Sequence, residues 1–360
     1  MLCCFQALSQ EAEVAGRTVQ SEESETTWQI VTRLDLNPYL PVKDGGYRGF
    51  DLGGSSLYAV FDGGFGESDF SYSVEAHLLS SDPAALYRNT FRSDDVNWLD
   101  WANITYAPSN LYLTVGKQVM SIGSFEFDPY DFDNHINLCS TLWNNSQVYQ
   151  WGAAAGWTSN DESTDLSLQV VTSPYGERPF KSGLYAFSAM WKGEYGPWMP
   201  MWSVGAIGYD KRAYTGLIAL GNQFTAGDFT IGLDWSTRGY DFDFTESSYI
   251  ASLEWAPSEK FSLTGKAGFE KAKGEDVIGW NPADDGEDPY DYYVPASLRL
   301  ATLGGTDSHT DLSGYWFGGL VATYMPLENL RIHAAISANN WAESISANVG
   351  VTYYLNLKRQ

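Results

Sequence analysis

The chain has 360 residues, with 21 Lys or Arg against 45 Asp or Glu, for a formal net charge of −24. That balance excludes a nucleic-acid partner, which needs a basic footprint. No run of about 18 apolar residues occurs, so no transmembrane helix is encoded; a closed barrel, which crosses a bilayer with strands of roughly ten residues, is still allowed. Aromatic residues make up 15% of the chain and Gly numbers 35, which suits a large sheet with tight turns and ringed interfaces.

The chain opens Met1-Leu2-Cys3-Cys4-Phe5-Gln6-Ala7-Leu8-Ser9-Gln10, where Ala7 and Ser9 are small residues of the kind that precede a signal-peptidase cut. Residues 1–9 are therefore read as the remnant of a secretory signal and 10–26 as an N-terminal extension. Removal of the signal would leave Cys139 alone, with no disulfide framework.

Sixteen segments can carry a strand, so residues 27–357 are expected to form one domain. In chain order they are Thr27–Asn37, Ser55–Gly63, Ser68–Leu79, Val96–Ala107, Asn110–Gln118, Val148–Thr158, Ser163–Ser173 and Phe180–Lys192. Then come Met201–Asp210, Tyr214–Phe224, Asp228–Arg238, Ser248–Ala256, Lys260–Lys271, Tyr315–Tyr324, Asn329–Ala338 and Ala342–Leu357. Side chains of a strand alternate between faces, and several segments sort apolar from polar on that period. Phe229, Ile231, Leu233 and Trp235 oppose Thr230, Gly232, Asp234, Ser236 and Arg238, and the last segment sets Ile345, Ala347, Val349, Val351, Tyr353, Leu355 and Leu357 on one face. Thr215 to Gly221 is apolar on both faces, and its sides cannot be assigned from pattern.

The connections discriminate between architectures. Even-to-odd links are mostly short (64–67, 108–109, 159–162, 225–227, 257–259, 325–328), with 193–200 somewhat longer; the odd-to-even links include 38–54, 80–95, 119–147 and 272–314. An even strand count with tight turns at one end and long loops at the other predicts an all-β, transmembrane antiparallel barrel, with short periplasmic turns and long extracellular loops. A soluble sandwich has no reason to segregate loop length. Trp28, Tyr106, Trp255, Phe261 and Tyr324 fall near the short turns on apolar faces, as an interfacial girdle requires, and Trp98, Trp235 and Trp316 fall near the other rim. Sixteen strands enclose a lumen too wide for side chains to fill, which accommodates Glu75, His77, Asp234, Arg238, Lys266, Glu270, Arg331 and His333.

The stretch Asn110-Leu111-Tyr112-Leu113-Thr114-Val115-Gly116-Lys117-Gln118, followed by Gly123-Ser124-Phe125-Glu126-Phe127-Asp128, resembles the phosphate-selective porin O/P-like family of Gram-negative outer membranes. The run Glu126-Phe127-Asp128-Pro129-Tyr130-Asp131 looks most like its Bacteroidetes-type members. The resemblance is sharpest over residues 98–158. It implies a sixteen-stranded integral outer-membrane porin, often a homotrimer, that passes small hydrophilic solutes by diffusion. Such a barrel is expected to contact lipid and lipopolysaccharide; no Gly-x-Ser-x-Gly, zinc-binding His-Glu-x-x-His or phosphate-loop motif occurs, so no catalytic residue, cofactor or metal is assigned. Asn348, Gly350, Tyr353 and Leu355 are similar to the signal read by the barrel assembly machinery, although the chain continues through Asn356-Leu357-Lys358-Arg359-Gln360.

In such porins the loop after the fifth strand folds inward; here that loop is 119–147, with Glu126, Asp128, Asp131 and Asp133 as a candidate constriction. Carboxylates there would favour cations. Arg33, Lys117, Arg238, Lys266 and Arg331 are candidate basic groups on the lumen wall, but no dense basic cluster exists, which argues against phosphate selection. Asp284-Asp285-Gly286-Glu287-Asp288-Pro289-Tyr290-Asp291 is read as an exposed acidic loop because it lacks the ligand spacing of a calcium-binding helix-loop-helix. Two other readings are a barrel hydrolase using Ser308 and His309, and a secreted soluble carbohydrate-binding β-protein.

Overall fold

A computed structural model describes residues 26–41, 50–52, 55–80, 99–127, 140, 148–175, 180–271, 315–339 and 344–359. Sixteen strands form one closed antiparallel barrel: β1 (Thr27–Pro41), β2 (Ser56–Gly64), β3 (Phe70–Ser80), β4 (Leu99–Tyr106), β5 (Leu111–Val119), β6 (Tyr149–Thr158), β7 (Thr164–Thr172) and β8 (Tyr185–Gly193). The second half comprises β9 (Trp198–Asp210), β10 (Ala213–Ala226), β11 (Phe229–Tyr240), β12 (Glu246–Ser258), β13 (Phe261–Lys271), β14 (Tyr315–Leu327), β15 (Leu330–Asn339) and β16 (Ser344–Arg359). Each strand pairs with the next, and β1 pairs with β16 from Thr27↔Arg359 to Pro41↔Ser344. A two-residue ladder, Phe50–Asp51, pairs with Asn37 and Pro38 beside the closure.

Alternation along the strands sets the two faces of the wall. In β7, Leu168 is 67% exposed while its neighbour Gln169 is 7% exposed. Leu111, Leu113 and Val115 of β5 and Phe229, Ile231 and Leu233 of β11 likewise stand exposed on the outside. A water-soluble fold would bury such rows against a second layer. Here they form a continuous outward apolar surface, the inverse of a globular core and the surface an integral membrane barrel presents to hydrocarbon.

The strand whose faces the pattern leaves undecided, β10, is resolved by its partners. Ala219 and Leu217 are buried inward with Ile207, Val171 and Ala186. Ile218 and Leu220 take the outward positions by alternation. Both faces are apolar: the inner one meets a segment of the protein's own chain, and the outer one continues the exposed apolar surface of the barrel.

The link expected over 193–200 is shorter than the sequence suggests. Strand β9 starts at Trp198, with Met199↔Gln223 and Pro200↔Asn222 already in the ladder to β10. Proline reads as a breaker because it lacks an N–H. It is tolerated here because the ladder to β8 begins only at Met201↔Lys192, leaving Pro200 on a locally unpaired edge.

Aromatic rings collect at the short-turn rim. Trp28, Tyr106, Trp255 and Tyr324 are exposed, and Phe261 is half-buried against Trp255, with ring centroids 6.3 Å apart. Trp28 donates its indole N–H to the Tyr72 hydroxyl at 2.9 Å. A denser group joins Trp191, Tyr195, Trp198 and Trp202, and both Trp198 and Trp202 donate to Asn222 Oδ1, at 3.1 and 3.3 Å. At the opposite rim Trp316 is exposed and Trp235 half-buried.

Trp98, Asp128, Asp131, Asp133, Cys139, the acidic run 284–291 and the pair Ser308/His309 lie outside the described residues, as do the remnant signal and, apart from Thr26, the N-terminal extension.

Candidate functional site

The barrel's interior is organised by the segment that follows β5. From Met120 to Phe127 the chain runs across the strands inside the wall instead of pairing with them, ending in a short 3-10 turn at Phe125–Phe127. Its backbone donors reach alternate strands in succession. Ser121 N–H donates to Gln169 Oε1 of β7 at 2.8 Å, Gly123 N–H to Ser203 Oγ of β9 at 2.8 Å, and Phe125 N–H to Asp234 Oδ1 of β11 at 3.0 Å. The next residue, Glu126, completes the series on β13, where Lys266 Nζ lies 3.1 Å from Oε1. An extended chain turns every second N–H the same way, so odd-numbered residues find polar side chains while Met120 and Ile122 pack on the wall.

That wall is apolar where it receives them. Met120 and Ile122 join Val148, Val171, Ala186, Ile207, Leu217 and Ala219 in one buried cluster. Gly123 sits so close to β9 that a Cβ there would meet Ser203 N at 2.5 Å and Met201 O at 2.7 Å. Only glycine permits that backbone-to-backbone approach.

Glu126 is locked at the end of the segment. Oε1 accepts from Ser140 N–H at 2.7 Å, Oε2 from the Ser140 hydroxyl at 2.5 Å, and Glu126 N–H donates to Ser124 Oγ at 3.2 Å. Its side chain is 2% exposed, against 15% for Lys266. A buried ion pair of this kind is costly to break, because the partner left behind keeps an uncompensated charge.

The remaining basic candidates sit elsewhere. Arg33 and Arg331 flank the β1–β16–β15 closure, Arg33 holding Asp35 Oδ2 through Nε at 2.8 Å and Nη2 at 2.7 Å. Asp35 Oδ1 in turn lies 3.1 Å from His333 Nε2 on β15, both side chains being fully buried. This contact passes over β16 at Gly350, the register partner of both Asp35 and His333. A Cβ on Gly350 would come 2.1 Å from Asp35 Oδ1 and 2.6 Å from His333 Nε2. Arg331 lies 5.3 Å over the Tyr354 ring, and Tyr354 packs with Val31, Tyr58 and Val60. Nearby, Tyr58 stacks on His77 at 4.2 Å and Trp101 donates to Ser73 Oγ at 2.8 Å.

Arg238 belongs to a third set. Its Nε is 3.1 Å from Glu246 Oε2 and its Nη1 donates to Ser248 Oγ at 3.1 Å, which donates in turn to Glu270 Oε1 at 3.1 Å. Lys117 is buried in β5 opposite Ala102 and Trp151, immediately after Gly116. The structure therefore brings one acid and one base of the expected constriction together, Glu126 and Lys266. Asn348, Gly350, Tyr353 and Leu355 all lie on β16, with Tyr353 and Leu355 outward and Gly350 buried inside.

Sequence reasoning missed the anchors Gln169 and Ser203, the holding role of Asp234, and the apolar strip of Val171, Ala186, Ile207, Leu217 and Ala219. The available signal was apolar residues on both faces of neighbouring strands, which a wholly wet lumen would not favour.

No protein-family model matches the chain, and no curated protein matches it. Solved structures do. A loop L8 deletion mutant of OmpT, an outer membrane protein of Vibrio cholerae, superposes with a TM-score of 0.57 at 11% identity, covering 93% of this chain and 100% of that one. The outer membrane channel DcaP of Acinetobacter baumannii gives 0.56 at 12%, covering 94% and 99%. A doubly substituted variant of the Rh. blastica porin gives 0.53 at 13%, covering 92% and 100%. At these identities the likeness is one of fold: the chain has the sixteen-stranded barrel architecture of outer-membrane porins.

Proposed function

We propose that this chain is an integral outer-membrane porin of a Gram-negative cell, passing small hydrophilic solutes and ions by diffusion. The observation that carries the reading is the inverted wall, apolar outside and polar or charged inside, combined with an inner segment docked across the lumen side from β7 to β13. A barrel of this strand number leaves an aqueous path that side chains cannot fill. The outward apolar belt also weighs against a secreted soluble carbohydrate-binding protein, which would have to hold that surface in water. The residues of the hydrolase reading, Ser308 and His309, lie outside the described residues.

Weak cation preference fits the net charge of −24 and the acids of the segment after β5. Because both Glu126 oxygens are engaged by Ser140 and Lys266, we assign the preference to Asp128, Asp131 and Asp133. The finer resemblance, to the phosphate-selective porin O/P-like family, stands as a proposal of lineage more than of solute. Arg33, Arg238 and Lys266 are each matched to a carboxylate, so they do not form the converging cluster that a phosphate requires. A homotrimer, contact with lipid and lipopolysaccharide, and insertion by the barrel assembly machinery belong to the same reading. One structural neighbour is described as an in-vitro folded trimer form of the Vibrio cholerae protein, with a TM-score of 0.56.

The test is single-channel conductance in a planar bilayer, with reversal potential under a salt gradient. Stable open steps with cation preference, reduced in an Asp128→Asn/Asp131→Asn/Asp133→Asn variant, are expected. Anion preference would overturn the acidic filter and restore the phosphate reading. Folded protein without conductance would remove the open pore.

A further inference from the structure

Glu126 and Lys266 stand out within this channel reading, because a carboxylate expected to face permeating ions is instead almost fully buried. We propose that Glu126 is a positioning residue: with Lys266 and Ser140 it latches the segment 120–127 against the wall, so that it sets the bore of the channel and its steadiness and not the sign of the ions that pass. The inference rests on the porin reading above and deepens it.

Three features of the geometry point the same way. First, both carboxylate oxygens are already engaged by partners of the protein. Oε1 is shared between Ser140 N–H and Lys266 Nζ, and Oε2 takes the Ser140 hydroxyl. An ion entering the pore meets a neutralised pair, whose field falls off far faster than that of a bare carboxylate.

Second, Ser140 lies fourteen positions further along the chain than Glu126. The contact therefore ties Ser140, like Glu126, to β13 through one carboxylate. Third, the other attachments of the segment are single hydrogen bonds and apolar packing at Gln169, Ser203, Asp234 and the strip beneath Met120 and Ile122. The ion pair is the contact among these in which acid and base meet directly, next to the Asp234 carboxylate that takes the Phe125 N–H, and it sits at the segment's far end. Losing a charge partner in a buried site is also the costliest of these losses.

The latch and a filter make opposite predictions for the same substitutions. Lys266→Met leaves Glu126 its Ser140 contacts but removes the cation; Glu126→Gln keeps an acceptor for Ser140 N–H but removes the anion. Under the latch, both free the segment to fluctuate in the bore. Single-channel records then show sublevels and brief closures at least about tenfold more often than wild type, as expected when a buried charged contact is broken. Each single substitution leaves one charge unmatched and moves the reversal potential by that charge alone, whereas the double Glu126→Gln/Lys266→Met variant, neutral there like the native pair, keeps the wild-type reversal potential to within a few millivolts under a salt gradient.

A double Glu126→Gln/Lys266→Met variant is expected to be no noisier than either single variant, since the two act through one contact. Quiet records with a reversal potential moved toward anions in Glu126→Gln and toward cations in Lys266→Met would overturn the latch in favour of a filter. Quiet records with unmoved potentials in all variants would overturn any role for the pair. Each variant is first shown to be folded by the heat-dependent mobility shift of the intact barrel on a denaturing gel. If the wild-type barrel itself does not conduct, it is the porin reading that fails, a result separate from every outcome above.

Discussion

Two sectors of the barrel wall use buried polar groups in contrasting ways. Along β7 to β11 an apolar strip of Val171, Ala186, Ile207, Leu217 and Ala219 runs across the inward face, and Gln169, Ser203 and Asp234 accept single backbone hydrogen bonds that hold a separate piece of chain against it. At the closure of β15, β16 and β1 the inward face carries a compact polar set, the Arg33–Asp35 ion pair with His333 against the same carboxylate, that bridges three strands without any loop between them. The first arrangement is distributed, since each contact is individually modest. The second is all or nothing, because removing one member leaves buried charge on the others. One wall is built to hold something in place, the other to stay shut.

Substitutions that exploit this contrast fall in order of size. Asp35→Ala should destabilise the barrel most, by roughly 3–5 kcal/mol, the range for orphaning a buried charge. The readout is the urea concentration at which the folded gel band is lost. Equal stability to wild type would mean that the seam charges are solvated in practice. Gly350→Ala comes next, because its Cβ would intrude between Asp35 and His333; a loss of about 1–3 kcal/mol is expected for such overpacking. In the Asp35→Ala background the same glycine substitution should cost much less, and full additivity of the two would disconnect Gly350 from the charged bridge.

In the other sector, Gly123→Ala should lift the inner segment off β9 while leaving the barrel's unfolding within about 1 kcal/mol of wild type, since the clash lies in the docked segment and not in the ladder. Limited proteolysis after Phe125 or Phe127 would report the release; unchanged resistance would show that the segment accommodates the methyl group. The smallest effect belongs to the rim. Asp161, in the turn 159–163 outside the spanning strands, has its carboxyl held below the ordinary range by the hydroxyls of Ser159 and Ser163. A group with a lowered pKa stabilises the fold above the ordinary carboxylate range and loses that contribution as pH falls through the lowered value. Asp161→Asn should therefore remove a slight acid-side decline in stability measured by thermal scans at graded pH. A decline of the same size in the variant would place its origin elsewhere.

Much of the barrel was legible in the sequence because a strand facing lipid and water must alternate, and β11 and β16 do so over most of their length. Loop lengths revealed which rim was which, since turns and long loops leave different spacings between strands. The inner segment was legible only as a position in chain order. Its anchors are common residue types, Gln169 and Ser203, whose significance lies in their shared height across β7 and β9, a property of stagger that no single-strand pattern carries. Leu217 and Ala219 misled in the other direction, since an apolar inward residue signals a dry surface only once the covering chain is known. Glu126 reads as a filter from its loop and as a clasp from its partners, and Lys266, 140 positions further along the chain, could not be matched to it by spacing.

The ring's closure has a consequence in time. Thr27 pairs with Arg359, so the first strand waits for the last before either edge is satisfied. Every intermediate along the way is an open sheet with two bare edges, each a template for pairing with the wrong chain. Contacts this distant in sequence form slowly, and a chain that has made fifteen strands is still fully vulnerable. Deleting β16 would thus do more than weaken the barrel by one strand; it would remove the event that ends the exposure.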